Sequence, residues 1–243
     1  MGMFTVIPQD TFESMQLDAG VILTAFDPAN PAAPDDEDIV CATTGGINVV
    51  CQPEYSDLGE DVDNVPVNMK ELKHLDSWTC SISFTSLDTS AEGIRLALGA
   101  ADITVASGKI VPRKDLEQTD FSDVWWVGDK ADGGLVAVKL KNALSTEGFN
   151  LQTTKNGKGQ TSCTLTGHVS IDAQSEMPME FYSLEAPTVT YTAATLTSAG
   201  FKYGETYYTR SGAGTTANPY VYTQVTKDAV YDSEETYYVK SYS

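Results

Sequence analysis

The side chains that could do chemistry are numerous, but their spacing does not gather them. The chain has two histidines, His74 and His168, and four cysteines, Cys41, Cys51, Cys80 and Cys163. No C-x-x-C pair occurs, and neither histidine stands at a ligand-like spacing from a cysteine, so no metal site is expected. Each cysteine sits among strand-like residues and reads as a small, buried, reduced apolar side chain. Serines and acids are frequent enough to assemble a Ser–His–Asp triad, but only by arbitrary choice. There is no G-x-S-x-G elbow and no P-loop. Gly45-Gly46, Gly133-Gly134 and Gly157-x-Gly159 read as turns between strands, not as phosphate cradles that open helices. Asp35-Asp36 lies in a loop that offers no apolar burial to raise a carboxyl pKa. Asp61-x-Asp63 lacks the fuller oxygen set of a calcium loop. The expectation is a protein that is not an enzyme, with no catalytic residue, cofactor or metal.

Charge narrows the partners. The net charge is −19, from 34 acids and 15 bases. No Lys or Arg occurs before Lys70, while that stretch carries 13 carboxylates. Residues 70–185 sum to −5 and residues 186–243 to −1. A surface that grips nucleic acid needs clustered Lys and Arg, and none is present. The hydrophobic fraction of 41% is that of a folded protein with a proper core. No apolar run reaches the length of a membrane span. Met1 to Leu17 lacks the basic and apolar regions of a signal peptide, so synthesis in the cytoplasm is expected.

The elements that would position these residues are mostly strands. Val21–Phe26 and Ile39–Thr44 are short β runs, the second broken at Gly45-Gly46 before Ile47–Asp57. Two segments alternate cleanly, the mark of a sheet with unlike faces. In one, Trp78, Cys80, Ile82 and Phe84 oppose Ser77, Thr79, Ser81, Ser83 and Thr85. In the other, Cys163, Leu165, Val169 and Ile171 share a face with Gly167, opposite Ser162, Thr164, Thr166, His168 and Ser170. Val136, Val138 and Leu140 likewise oppose Ala137, Lys139 and Lys141. The expected sheet is antiparallel, with one core face and one short, hydroxyl-rich face. One helix is expected, with Thr89-Ser90-Ala91-Glu92 as a capping box, an Ala91/Ile94/Leu98 stripe and Gly99 as its stop. Leu58–Asp76 is a long excursion, acidic first (Glu60, Asp61, Asp63) and basic later (Lys70, Lys73, His74), with a helical turn within Asn68–Leu75. Such length exceeds an ordinary hairpin loop and suggests an arm that meets a like copy.

A composition break near Ala186-Pro187 separates a main domain, 1–185, from a Thr- and Tyr-rich module, 186–243. The module repeats itself: Phe201–Arg210 matches Tyr231–Lys240, with Pro219–Val225 as a further strand between them. It is expected to be a small β module with an aromatic core.

Several runs resemble the major tail tube proteins of long, non-contractile phage tails. They are Ala42–Ile47, Asp57–Asn64, Lys70–Trp78, Leu98–Asp102, Lys109–Arg113, Phe121–Asp129 and Gly167–Gln174, in order over residues 11–182. The resemblance implies a mainly β fold, a tail-tube-type β-sandwich or barrel with one packed α-helix. It implies hexameric rings of this chain that stack into the conduit for genome passage. It also implies tail terminator, tape measure and tail tip proteins as partners, and a place in the virion tail. The C-terminal module departs from a minimal tube subunit and is expected on the tube exterior.

On that basis Asn48, Gln52, Glu54, Ser81, Ser83, Thr164, Thr166 and Ser170 are expected to face the lumen, where DNA passes without specific binding. Glu60, Asp61, Asp63, Lys70 and Lys73 are expected at the contact between rings. Two rivals stand beside this reading. One is the inner tube of a contractile injection or secretion machine. The other is a host-surface virion protein whose Tyr-rich tail stacks on glycans.

Overall fold

The computed structural model describes residues 9–104, 106–186, 189–194, 196, 201, 206–216, 218–226, 229, 231–232 and 234–242. The protein is mainly β. It divides into two compact units: Met1–Phe26 with Pro34–Glu185, and Asp27–Ala33 with Ala186–Ser243. The division at 185/186 coincides with the composition break, of which Pro187 lies outside the described residues. The Asp27–Ala33 excursion, placed in the main domain by sequence, groups with the second unit.

In the first unit the strands are β1 (Gln16–Leu23), β2 (Thr43–Asp57), β3 (Lys73–Ser86), β4 (Ala101–Thr104), β5 (Lys109–Pro112), β6 (Ser122–Lys130), β7 (Leu135–Ser145), β8 (Asn150–Gln152), β9 (Gln160–Thr166) and β10 (Met179–Leu184). Helix α1 (Ala91–Leu98) follows β3. The main sheet runs β1-β6-β7-β9-β3-β2, with β10 added to β7 and β8 to β9. All its pairings are antiparallel. The path is open, with no closure into a barrel. Strand β7 belongs to both halves. Its first part pairs with β6 and β10, and Leu144 and Ser145 at its end pair with β9.

The two halves share one core. Ile22, Val124, Val138 and Leu140 from one half pack with Cys80, Ile82, Phe84, Cys163 and Leu165 from the other. Burying each large aliphatic side chain contributes about 1.5–3 kcal/mol relative to exposure. The expectation of one core face and one hydroxyl face holds on β2, β3 and β9. It fails on β1, β6 and β7, which bury both faces. Leu23, Trp125, Val127 and Ala137 form a second cluster on the opposite side, covered by Phe26, Ile39 and Tyr182. The cause is the unbroken apolar run Val124-Trp125-Trp126-Val127, which gives both faces of β6 something to bury.

Several boundaries moved. Gly45-Gly46 does not break a strand but forms a bulge within β2, where the register with β3 shifts between Thr44 and Ile47. β1 starts earlier than Val21 and ends at Leu23. The helix cap is Ser90, not Thr89: Ser90 Oγ accepts from Gly93 N at 3.1 Å. Glu92 turns away from the cap to Arg95, 3.1 Å off. The buried helix residue is Ala97, whose carbonyl accepts from Ser145 Oγ at 2.7 Å, rather than the Ala91/Ile94/Leu98 stripe. Gly99 ends the helix as expected. Its φ of 76° suits glycine, and its N–H bonds the carbonyls of Arg95 and Leu96.

The small β4–β5 sheet is not evident from the pattern. Arg113, just after β5, ties it down by reaching Asp102 (2.9 Å), Glu117 (2.8 Å) and the buried Asp120.

The second unit holds β11 (Val189–Ala193), β12 (Tyr207–Ser211), β13 (Val221–Gln224) and β14 (Tyr237–Tyr242), in the order β11-β14-β12-β13. The two sequence repeats meet here, because Tyr208 pairs with Tyr238. Repeat mates Phe201 and Tyr231 pack with Tyr207 and Tyr237 into one aromatic cluster. The repeat residues 202–205 and 233 lie outside the described residues. No described helix is long and apolar enough to cross a membrane.

Candidate functional site

Directly paired residues in antiparallel strands share a face. The register therefore builds a hydroxyl surface across β2, β3 and β9. Asn48, Ser83 and Thr164 form one row. Val50, Ser81 and Thr166 form the next. Gln52 pairs with Thr79 and Glu54 with Ser77. Hydroxyl hydrogen bonds link the rows. Thr164 Oγ1 donates to Ser83 Oγ at 3.1 Å, and the Thr146 and Thr166 hydroxyls lie 3.0 Å apart. Glu54 accepts from Ser77 Oγ at 2.9 Å and from Thr79 Oγ1 at 3.4 Å. Glu54 is the one charged residue in these rows, and Val50 is an apolar member that the sequence reading did not include.

Ser170 does not belong to this face. β9 ends at Thr166, and Ser170 caps a short 3-10 turn, Ile171–Ala173, accepting from Asp172 N at 3.3 Å. Val169 and Ile171, expected in the core, are 49% and 81% exposed. Just past the strand, Gly167 sits where a Cβ would meet Leu140 Cδ1 at 2.6 Å and the Pro178 carbonyl at 3.0 Å, and His168 N leaves β3 to bond the Lys141 carbonyl at 3.1 Å. His168 then turns back toward β7, with Nδ1 3.1 Å from the Asn142 carbonyl and its ring edge-on to Phe121.

The arm is shorter than read, because Lys73–Asp76 are already strand. The excursion proper is Leu58–Leu72, with a 3-10 turn at Lys70–Leu72. Asp57 organises it. One carboxylate oxygen accepts from Gly59 N at 3.0 Å, the other from Asn68 N at 2.7 Å. These bonds, Asn68's first, hold the Asp57 carboxyl below its usual pKa. Leu58 N donates to the Leu72 carbonyl at 2.9 Å and closes the neck. Glu60, Asp61 and Asp63 are exposed. Lys70 meets its neighbour Glu71 at 3.5 Å, and Lys73 donates to Asn68 at 2.9 Å. So the basic half of the arm is engaged locally.

Sequence reasoning missed the arm's apolar content. Tyr55, Leu58, Val62, Val67, Met69 and Leu75 are all exposed, Val67 at 72%. The residues were legible; their exposure follows from a hairpin that extends beyond the core. At its root a groove of about 290 Å³ runs between Leu75, Trp78, Val169, Met177 and Pro178. Among the described residues no group of three or more His, Cys, Asp or Glu could hold a metal ion. Compared with known proteins, the chain matches no family description, and no curated protein matches its sequence.

Proposed function

We propose that this chain is a structural subunit that forms hexameric rings stacking into a phage tail tube. The observation that carries the reading is the uncharged hydroxyl face on three neighbouring strands, made by Asn48, Gln52, Ser81, Ser83, Thr164 and Thr166 with Glu54 at its end. DNA sliding through a channel must not stick. Short hydrated hydroxyls provide no cations to trap phosphates. The Glu54 carboxylate adds repulsion, effective within ~8 Å at physiological salt.

In this reading the arm contacts the adjacent ring. Its exposed apolar side chains are what a neighbouring copy would cover, and Glu60, Asp61 and Asp63 lie among them. The experiment is negative-stain microscopy of the purified protein. Hollow tubes or sixfold rings are expected; a protein that stays monomeric at high concentration overturns the reading. Replacing 59–71 with an Asn-Gly turn uses the neck already closed by Leu58 and Leu72. That variant is expected to fold and to stay unpolymerised, and normal tubes from it would remove the arm from the mechanism.

A further inference from the structure

We propose that the tyrosine-paved face of the second unit binds a carboxylated polysaccharide. The inference is independent of the tube reading and rests on a different surface.

The four-stranded sheet has two aromatic faces. One is its core, where Tyr207 and Tyr237 are 4% and 6% exposed and pack with Phe201 and Tyr231. The other is laid with rings that stack on one another. Tyr191 lies flat on Tyr222, centroids 3.7 Å apart and planes 3° apart. Tyr208 meets Tyr191 edge-on, and Tyr238 meets Tyr222 the same way. Tyr191, Tyr208 and Tyr222 stay half-exposed. Tyr238, under Arg210, is 7% exposed and anchors this face, while the other three rings remain open to solvent.

Arg210 decides the ligand. Its guanidinium lies 4.2 Å from the Tyr220 ring centre and 4.8 Å from that of Tyr238. Two ring contacts hold the guanidinium in place through its carbon face and use none of its N–H donors. Arg210 is exposed, and no carboxylate or carbonyl among the described residues accepts from it. Gly214 makes this arrangement possible. It has φ 71°, and a Cβ there would meet the Tyr220 ring at 2.5 Å. The register places Lys240 opposite Tyr191, on the same face. On a chain with 34 acids, the charged residues that the described strands place on this face, Arg210 and Lys240, are basic.

Aromatic platforms present flat apolar area to a sugar ring, and a fixed guanidinium accepts a carboxylate in bidentate fashion. Two cations are too few to track a nucleic-acid backbone, which needs a row of them. Isolated carboxylates spaced along sugar rings fit both features at once.

The test is calorimetric titration of the full chain with three carboxylated probes: oligogalacturonate, hyaluronan oligomers and oligosialic acid. Neutral maltohexaose and polyglutamate serve as controls. Saturable binding to at least one carboxylated probe is expected, with both controls about tenfold weaker or silent. Arg210→Gln and Tyr222→Ala should each weaken binding about tenfold, the scale of one charge-assisted contact. Arg210→Lys should weaken it too, because it keeps the charge but loses the fork. Near-UV circular dichroism checks that each variant is folded. If Tyr222→Ala unfolds the unit, the two Arg210 variants carry the test. Failure of the unmodified chain to bind any carboxylated probe overturns the proposal. So does equal binding to polyglutamate (charge alone), equal binding to maltohexaose (rings alone), or folded variants that bind unchanged.

Discussion

Asp57 holds the neck of the arm through two backbone amides, and its carboxyl is held below the usual range as a result. The sign of the pH effect follows. A depressed folded value stabilises fully above the unfolded carboxyl value of about 3.9. That stabilisation is lost as pH falls through the lower folded value. Hydrogen exchange at the Gly59 and Asn68 amides should therefore be protected at neutral pH and lose protection in strong acid. Asp57→Ala should remove the protection at all pH values, and unchanged exchange in that variant would count against the role. The cysteine pair Cys51 and Cys80 permits a second prediction. Gly167 N donates to the Cys80 carbonyl at 3.0 Å, so Cys80 directs its backbone groups to β9. Cys51 and Cys80 are thus a non-hydrogen-bonded pair, the closer of the two antiparallel spacings. Their sulfurs lie 3.5 Å apart, against about 2.05 Å in a disulfide. Burial, with Cys51 alongside, pushes the Cys80 thiol up to about 12. Cys80 is fully buried and Cys51 only half-buried, so peroxide should reach Cys51 first. Hydrogen peroxide should convert Cys51 to the sulfenic acid, and Cys80 then displaces water to close the bond. Mass spectrometry should show the loss of two hydrogens and a peptide pair joining the two residues; Cys51→Ser should abolish both. At this scale the sequence was informative where alternation is regular, as at Ser83 and Thr164. It misled at Ser170, because the close approach of Leu140 and Pro178 at Gly167 is tertiary. A glycine inside a strand pattern was the available signal.

Helix α1 shows how a local motif can be off by one residue. Thr89-x-x-Glu92 has capping-box spacing, but the Asp88 carboxylate receives both Ser90 N–H (2.8 Å) and Ser90 Oγ–H (2.6 Å) and fixes Ser90 as the cap. Ser90→Ala should lower unfolding stability by about 1 kcal/mol, and Thr89→Ala should be nearly neutral. Equal effects in chemical denaturation would refute the assignment. Among strands, alternation predicted β3 and β9 faces but not the double burial of β6 and β7, since a continuous apolar run does not show which neighbours cover it. Leu140, fully buried where the halves of the core meet, should cost about 2–5 kcal/mol when cut to Ala. A loss under 1 kcal/mol would mean that the site collapses freely.

For the whole molecule, the break at 185/186 was legible because composition changes there. The membership of Asp27–Ala33 was not, because it depends on what that loop packs with in three dimensions. A chain ending at Glu185 should keep the first unit's fold, since that unit has its own core. It should be cut faster by protease within 27–33 than the full chain, and equal cleavage rates would contradict the grouping. The tube and polysaccharide readings separate at this scale too, because one is tested by polymer formation and the other by titration.

Strand β2 lies at the free edge of the main sheet, and Pro53 lies within it. Pro53 has the same parity as Cys51, so the amide hydrogen it lacks would have pointed outward rather than to β3. The inner ladder loses nothing, but the outer edge has a gap in its donors. At the other end of the same stretch, the Gly45-Gly46 bulge twists the edge away. An incoming strand therefore finds a continuous template only between the bulge and the proline. Exposed strand edges seed fibrous aggregates when any register is allowed. This one admits few registers, so the edge is guarded against open-ended strand addition at high concentration.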